Sequence, residues 1–204
     1  MNDPTSLLTV QLRAFAAHPE TDQTILLSNR NGQSVEFLFR RMKPDSVSEL
    51  MAFQTDVVSR IPGCAETNVF QSLSRVEYEY SILHDICVGV YRDAQLAAVL
   101  VLLPHPTPEQ NLMLDLPEYR HIPADDILVV DMVLVGESCR GFGLQRTFNH
   151  LADCFCREMG IHYECTTVSP LNVHSLRNTM ASGFRLVGNF KKYQSTRNFF
   201  VKEL

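Results

Sequence analysis

Residues 127–145 read ILVVDMVLVGESCRGFGLQ. Ile127–Val135 is apolar except at Asp131, and a run this short and this rich in valine reads as a buried strand. Glycine-rich sequence follows. From Leu144 the apolar residues recur at helical spacing (Leu144, Phe148, Leu151, Ala152, Phe155), and Gly160 stops the helix. Between strand and helix lies Arg140-Gly141-Phe142-Gly143-Leu144-Gln145. Glycines let a backbone approach an anion and expose its N–H groups. The first turn of a helix has free N–H groups and a partial positive charge. Arg140 adds a forked donor. The order suits a diphosphate, and it suits a tight strand-to-helix turn equally well. It is not the dinucleotide fingerprint, which needs a third glycine, and not a P-loop, which needs Gly-Lys-Ser/Thr.

Downstream, His162–Val168 reads as a strand, Val173–Ser182 as a helix, and Phe184–Tyr193 and Asn198–Glu203 as two closing strands. Upstream, residues 1–20 carry Leu7, Leu8, Leu12, Phe15 and Ala16 at helical spacing. Thr24–Ser28 and Val35–Arg41 flank the turn signal Asn31-Gly32. Asp45 or Ser46 starts a helix to about Ile61, with Leu50, Phe53, Val57 and Val58 on one face and Pro62-Gly63 as its stop. A second helix spans about Ser72 to His84, and strands Ile86–Tyr91 and Gln95–Leu103 follow. Pro104–Asp126 is a long proline-containing connection, either a passive surface loop or a functional one. The order of elements predicts an α/β fold, a mixed twisted sheet with helices on both faces. Residues 1–34 are expected to be an N-terminal extension packed on a domain formed by residues 35–204.

The chain has 204 residues, a formal charge of -5 and 45% hydrophobic residues, which suits one domain with a sizeable core. The acidic balance argues against nucleic acid as a partner. No apolar run reaches the ~18 residues of a membrane span, and the N-terminus lacks the pattern of a signal peptide, so a cytoplasmic protein without a membrane partner is expected. Six cysteines without a CxxC pair read as reduced, buried thiols, and no metal is expected. The sequence leaves room for a homodimer.

The loop resembles that of the GNAT superfamily of acyl-CoA-dependent N-acetyltransferases, which reads Gln/Arg-x-x-Gly-x-Gly/Ala after a strand ending in a Val-x-Val run. Here Val133-Leu134-Val135 precede the loop, Arg140 and Gly143 match, and Gln145 stands where the family has Gly or Ala. A second element is also similar. Asn172-Val173-His174-Ser175 leads through a helix to Gly183-Phe184, like the family's Asn-x-x-Ala/Ser…Gly-Phe segment.

The resemblance implies that acetyl-CoA lies between two splayed parallel strands, Ile127–Val135 and His162–Val168. Backbone N–H groups near Val133, Leu134 and Val135 would hold the pantetheine and polarise the thioester. Those of Arg140, Gly141, Phe142, Gly143, Leu144 and Gln145 would take the diphosphate, and Asn172 and Ser175 would border the thiol end. It implies direct acetyl transfer to an amine in a ternary complex. Where the family often has a tyrosine that protonates the thiolate, this chain has Thr179, so Thr179, Tyr193 or solvent would serve. A non-catalytic acyl-CoA-binding domain is the alternative that this departure motivates, and a phosphate-binding α/β protein outside the superfamily is another. Asp131 interrupts its strand beside the thioester run and reads as the base or the anchor for a cationic amine, or as a structural carboxylate. His121, Asp125 and Asp126 could reach the acceptor. Glu77–Tyr80 lie on the second helix as a solvated face or a specificity element, and Glu137 is expected to face solvent.

Overall fold

Short-range chemistry builds the first hairpin. Asn29 Oδ1 accepts hydrogen bonds from the N–H groups of Asn31 and Gln33, each at 3.0 Å, and Gly32 takes the left-handed φ of +79° that closes the turn. The computed structural model describes residues 4–61, 64, 69–192 and 195–204. Its elements run α1 (Pro4–Ala17), β1 (Gln23–Ser28), β2 (Ser34–Arg41), α2 (Val47–Ser59), α3 (Arg75–His84), β3 (Ile86–Arg92) and β4 (Gln95–Pro104). Then come β5 (Ile127–Val135), α4 (Leu144–Met159), β6 (Tyr163–Val168), α5 (Val173–Ala181), β7 (Arg185–Lys192) and β8 (Ser195–Glu203).

The eight described strands form one sheet in the order β1-β2-β3-β4-β5-β6-β8-β7. Only β5 and β6 pair in parallel, joined by α4, as a parallel pair requires a crossover. Helices cover both faces. On one, Leu12 and Phe15 of α1 and Phe148 and Phe155 of α4 pack on Phe39, Leu100 and Leu128. On the other, Leu50 of α2 and Tyr78 of α3 pack on Val99, Met132 and Phe199. Phe15 meets Phe39 and Phe155 edge-on, so α1 shares the first core.

The element boundaries follow from caps. Ser74 and Glu77 form a reciprocal capping box, so α3 starts at Arg75 rather than at Ser72. A 3-10 turn, Pro44–Ser46, precedes α2, which ends at Ser59; the expected stop at Pro62-Gly63 lies outside the described residues. The connection from 104 to 126 is no passive loop, because Asn111, Met113 and Ile122 are buried and the last two belong to the second core. All six cysteines are free and buried. Among the described residues no helix is long and apolar enough to cross a membrane.

Candidate active site between the parallel strands

The site begins as an irregularity in β5. Val101 pairs with Met132 but Leu102 with Val130, which leaves Asp131 as the extra residue of a β-bulge. Val129 and Met132 both belong to the core under α2 and α3, so the bulge sets Asp131 on that face of the sheet. On its other edge β5 pairs with β6 only from Ile127↔Tyr163 to Val130↔Thr166. Beyond that rung β5 continues with β4 while β6 continues with β8, up to Val168↔Asn198. The strands have parted. Thr166 Oγ1 donates to the Val130 carbonyl at 2.7 Å and ties the last rung before the gap.

Strand alternation determines which backbone groups face the gap. The Gly136 N–H donates to Ala97, so the N–H groups of Leu134 and Met132 turn to β4 and those of Val133 and Val135 turn away from it. Leu134 therefore does not face the gap, and its side chain is buried; of the three residues expected to hold pantetheine, Val133 and Val135 have the required orientation. The gap opens into a cleft that passes through the sheet. Val133, Asn172, Ser175 and Thr179 line it towards α4 and α5, and Phe70 and Leu73 towards α2 and α3.

The glycine loop turns its amides outward. Gly141 and Gly143 have φ of +89° and +77°, a backbone that glycine adopts without strain. No N–H from Gly141 to Arg146 has a hydrogen-bond partner among the described residues. The Arg140 N–H is not part of this set, since it donates to the Glu137 carbonyl at 3.2 Å; the Arg140 side chain is exposed. Phe142 and Leu144 serve by their backbones alone. Their side chains are buried, with Phe142 edge-on to Phe37 at 5.5 Å.

Gln145 has a second role that its sequence position does not announce. Its Nε2 donates to Ser175 Oγ at 3.0 Å and its Oε1 accepts from Asn178 Nδ2 at 2.7 Å, which ties the first turn of α4 to α5. Asn172 caps α5 by accepting the Ser175 N–H at 3.1 Å. Thr179 is buried one face further along α5, on the cleft wall.

Burial pushes the Asp131 carboxyl above its ordinary range, Lys192 pulls it down, and Glu77 of α3 pushes it up again. Asp85, buried at the C-terminal cap of α3, is raised to about 6 by burial. A carboxylate whose proton affinity is raised is the better proton acceptor near neutral pH. Glu137 is exposed beside Arg60, as expected. Asp125 and Asp126 do not reach the cleft. Asp126 holds the His162 N–H and ring at the closed end of the strand pair, and Asp125 faces His105; His121 is exposed. Tyr193 lies outside the described residues.

Sequence reading missed several wall residues. Asn149, Thr166 and Thr167 line the cleft, as does Arg197 of β8, which is 4% exposed and whose Nη1 donates to the Val69 carbonyl at 3.4 Å. Alternation along Glu164-Cys165-Thr166-Thr167 could have flagged the threonines. Nothing local could have flagged Arg197, which depends on where β8 enters the sheet.

No protein-family model matches the chain, and no curated protein matches it. Solved structures do. A GNAT-family acetyltransferase from Listeria monocytogenes is 18% identical, with a TM-score of 0.64 over 88% of this chain and 100% of that one. One from Streptococcus agalactiae is 14% identical, with a TM-score of 0.64 over 87% and 98%. AAC(6')-Ib in complex with ribostamycin and coenzyme A is 13% identical, with a TM-score of 0.58 over 82% and 93%. At identities this low the likeness establishes the fold.

Proposed function

We propose that this chain, which has the GNAT fold, is an N-acetyltransferase that moves an acetyl group from acetyl-CoA to an amine by direct transfer in a ternary complex. The observation that carries this reading is the parting of β5 and β6 beyond Val130↔Thr166, next to a loop whose amides from Gly141 to Arg146 are unpaired. An extended thioester fits the first and a diphosphate fits the second.

Acetyl-CoA supplies the activated acetyl thioester. The Val133 and Val135 N–H groups face the gap, where they donate to the thioester oxygen and stabilise the charge that develops on it. Asp131, on the opposite face, accepts the proton of the attacking amine, directly or through water. The C–N bond forms, the C–S bond breaks, and the sulfur takes a proton from the Thr179 hydroxyl or from solvent. The bulge is what gives one strand both duties: Asp131 points to the acceptor face while Val133, two residues on, lines the thioester side.

The test is thiol release from acetyl-CoA against a panel of amines. Turnover with at least one amine is expected, and Asp131→Asn should lower it about a hundredfold or more, the usual range for a lost general base, with CoA affinity unchanged. CoA binding with no thiol release from any amine would instead favour a non-catalytic acyl-CoA-binding domain.

A further inference from the structure

The buried stripe of α2 is Val47, Leu50, Gln54 and Val57, and Gln54 is its one polar member. A buried amide is costly unless its hydrogen bonds are made, and here they are made. Its Nε2 donates to the Leu73 carbonyl at 2.8 Å, and its Oε1 accepts from the Leu73 N–H at 2.9 Å and from the Tyr78 hydroxyl at 3.0 Å. Tyr78 is fully buried, and burial pushes its phenol well above the ordinary range, so the hydroxyl stays protonated as a donor. The amide therefore grips both backbone groups of one residue. Leu73 ends the segment 69–73, of which Val69, Phe70, Gln71 and Leu73 line the cleft. Phe70 and Leu73 pack on the core under α2 and α3, the face on which the bulge sets Asp131. Among the described residues no backbone-to-backbone hydrogen bond fixes this segment. Side chains hold it instead: Gln54 at Leu73, and Arg197 at the Val69 carbonyl, 3.4 Å away.

We propose that Gln54 is a positioning residue for the acceptor: by gripping Leu73 it fixes the 69–73 segment as the wall against which the amine is received beside Asp131. The proposal rests on the acetyl-transfer reading and adds the device that holds its acceptor side. Direct transfer needs the amine nitrogen within reach of both the thioester carbon and the Asp131 carboxylate, and a displacement of about 1 Å costs up to about a hundredfold in rate. On the thioester side the geometry is set by β5 and β6, which the sheet holds through β4 and β8. The 69–73 wall has no sheet partner and takes its place from α2, a helix that does not itself line the cleft. Gln54 is the link between the two. A glutamine that served packing alone would need partners for its amide, but not partners that lead to the cleft; the two backbone groups that Gln54 holds both belong to a cleft-lining residue.

The experiment compares Gln54→Leu with Tyr78→Phe, which removes a buried hydrogen bond from the same amide and leaves the grip on Leu73 in place. Thiol release gives KM for acetyl-CoA and for the best amine of the panel, calorimetry gives amine binding to the CoA-loaded protein, and urea unfolding gives stability. Gln54→Leu is expected to raise the amine's KM and Kd about tenfold or more, while KM for acetyl-CoA changes by less than about twofold. Tyr78→Phe also costs stability but should raise the amine's constants by less than about threefold. Gln54→Asn keeps the amide but falls a methylene short of Leu73; it should behave like Gln54→Leu, and it replaces that variant if the leucine protein does not fold. An amine KM that Gln54→Leu leaves unchanged, losses that fall equally on acetyl-CoA and amine, or equal amine losses in the Gln54→Leu and Tyr78→Phe proteins would make Gln54 a core amide only and overturn the proposal, with acetyl transfer left standing. An amine that binds the CoA-loaded protein in a Gln54-dependent way without thiol release supports the wall and overturns acetyl transfer. A panel from which no amine is turned over or bound overturns both.

Discussion

Replacing Gly143 by aspartate and by asparagine separates shape from charge at the proposed diphosphate cradle. A Cβ at Gly143 would have only the Arg146 Nη2 atom near it, at 3.6 Å, so either side chain fits without a clash. The φ of +77° is strained for most residues, but Asn and Asp tolerate it best, and the cost of about 1 kcal/mol is common to both variants. The two therefore differ by one charge at the N-terminus of α4. A carboxylate about 4 Å from a phosphate, at the effective dielectric of about 20 near a protein surface, costs about 4 kcal/mol. Neutralisation by Arg146 and salt screening reduce this to roughly 1.5–3 kcal/mol, or about ten- to a hundredfold in Kd. Titration calorimetry with CoA should show Gly143→Asn weakened less than tenfold, and Gly143→Asp weaker by a further ten- to hundredfold at low salt. The gap between the two should narrow as salt rises. If the folded variants bind CoA equally at low salt, no phosphate sits at this helix terminus and the loop is only a tight turn.

Thr179→Val removes one hydroxyl from the cleft wall; a loss of about a hundredfold in turnover would assign it the protonation of sulfur, and the expected loss is below tenfold, with solvent serving. Glu164→Gln tests a buried charge cluster shared by β6, β8 and α4. Lys202 is bonded to Asp153 and lies 3.9 Å from Glu164, so one cation serves two carboxylates. Burial, then the Asp153 charge, raises the Glu164 carboxyl from 4.5 to about 8 against the pull of Lys202. Folding therefore takes up a proton. That stabilisation is complete below pH 4.5 and is lost as pH rises through about 8, with a slope of at most about 1.4 kcal/mol per unit. Between pH 5 and 8, urea unfolding should show the wild type losing more stability than Glu164→Gln; parallel profiles would mean that Glu164 is ionised in the folded protein.

The unit from β5 to α4 was legible because each of its signals is local. An apolar run bounds β5 at Ile127 and Val135, and left-handed glycines bound α4 at Gly143 and Gly160. The two-sided sheet followed from counting elements. What stayed hidden depends on partners. The bulge at Asp131 exists only relative to β4, so the sequence marks a misplaced carboxylate without saying that the strand kinks there. The last strand, β8, enters between β6 and β7, which carries Arg197 and Lys192 to a site formed some 60 residues earlier in the chain. Gln145 looked like a departure from the loop pattern, and its bonds to Ser175 and Asn178 show what the longer side chain does. Caps account for the shifted start of α3, and burial of Met113 and Ile122 for the order of a segment that reads as loop.

The most direct test of the central claim is thermal unfolding in the presence of CoA and acetyl-CoA, with NAD and ATP as controls. A ligand that binds only the folded state stabilises it by about 2.7 kcal/mol at a hundredfold excess over Kd, which for a domain of this size raises Tm by roughly 5–10 °C. CoA and acetyl-CoA are expected to give that shift, and NAD and ATP a smaller one. No shift with either CoA species at millimolar concentration, or an equal shift with all four ligands, would contradict the account of a CoA site between the parted strands.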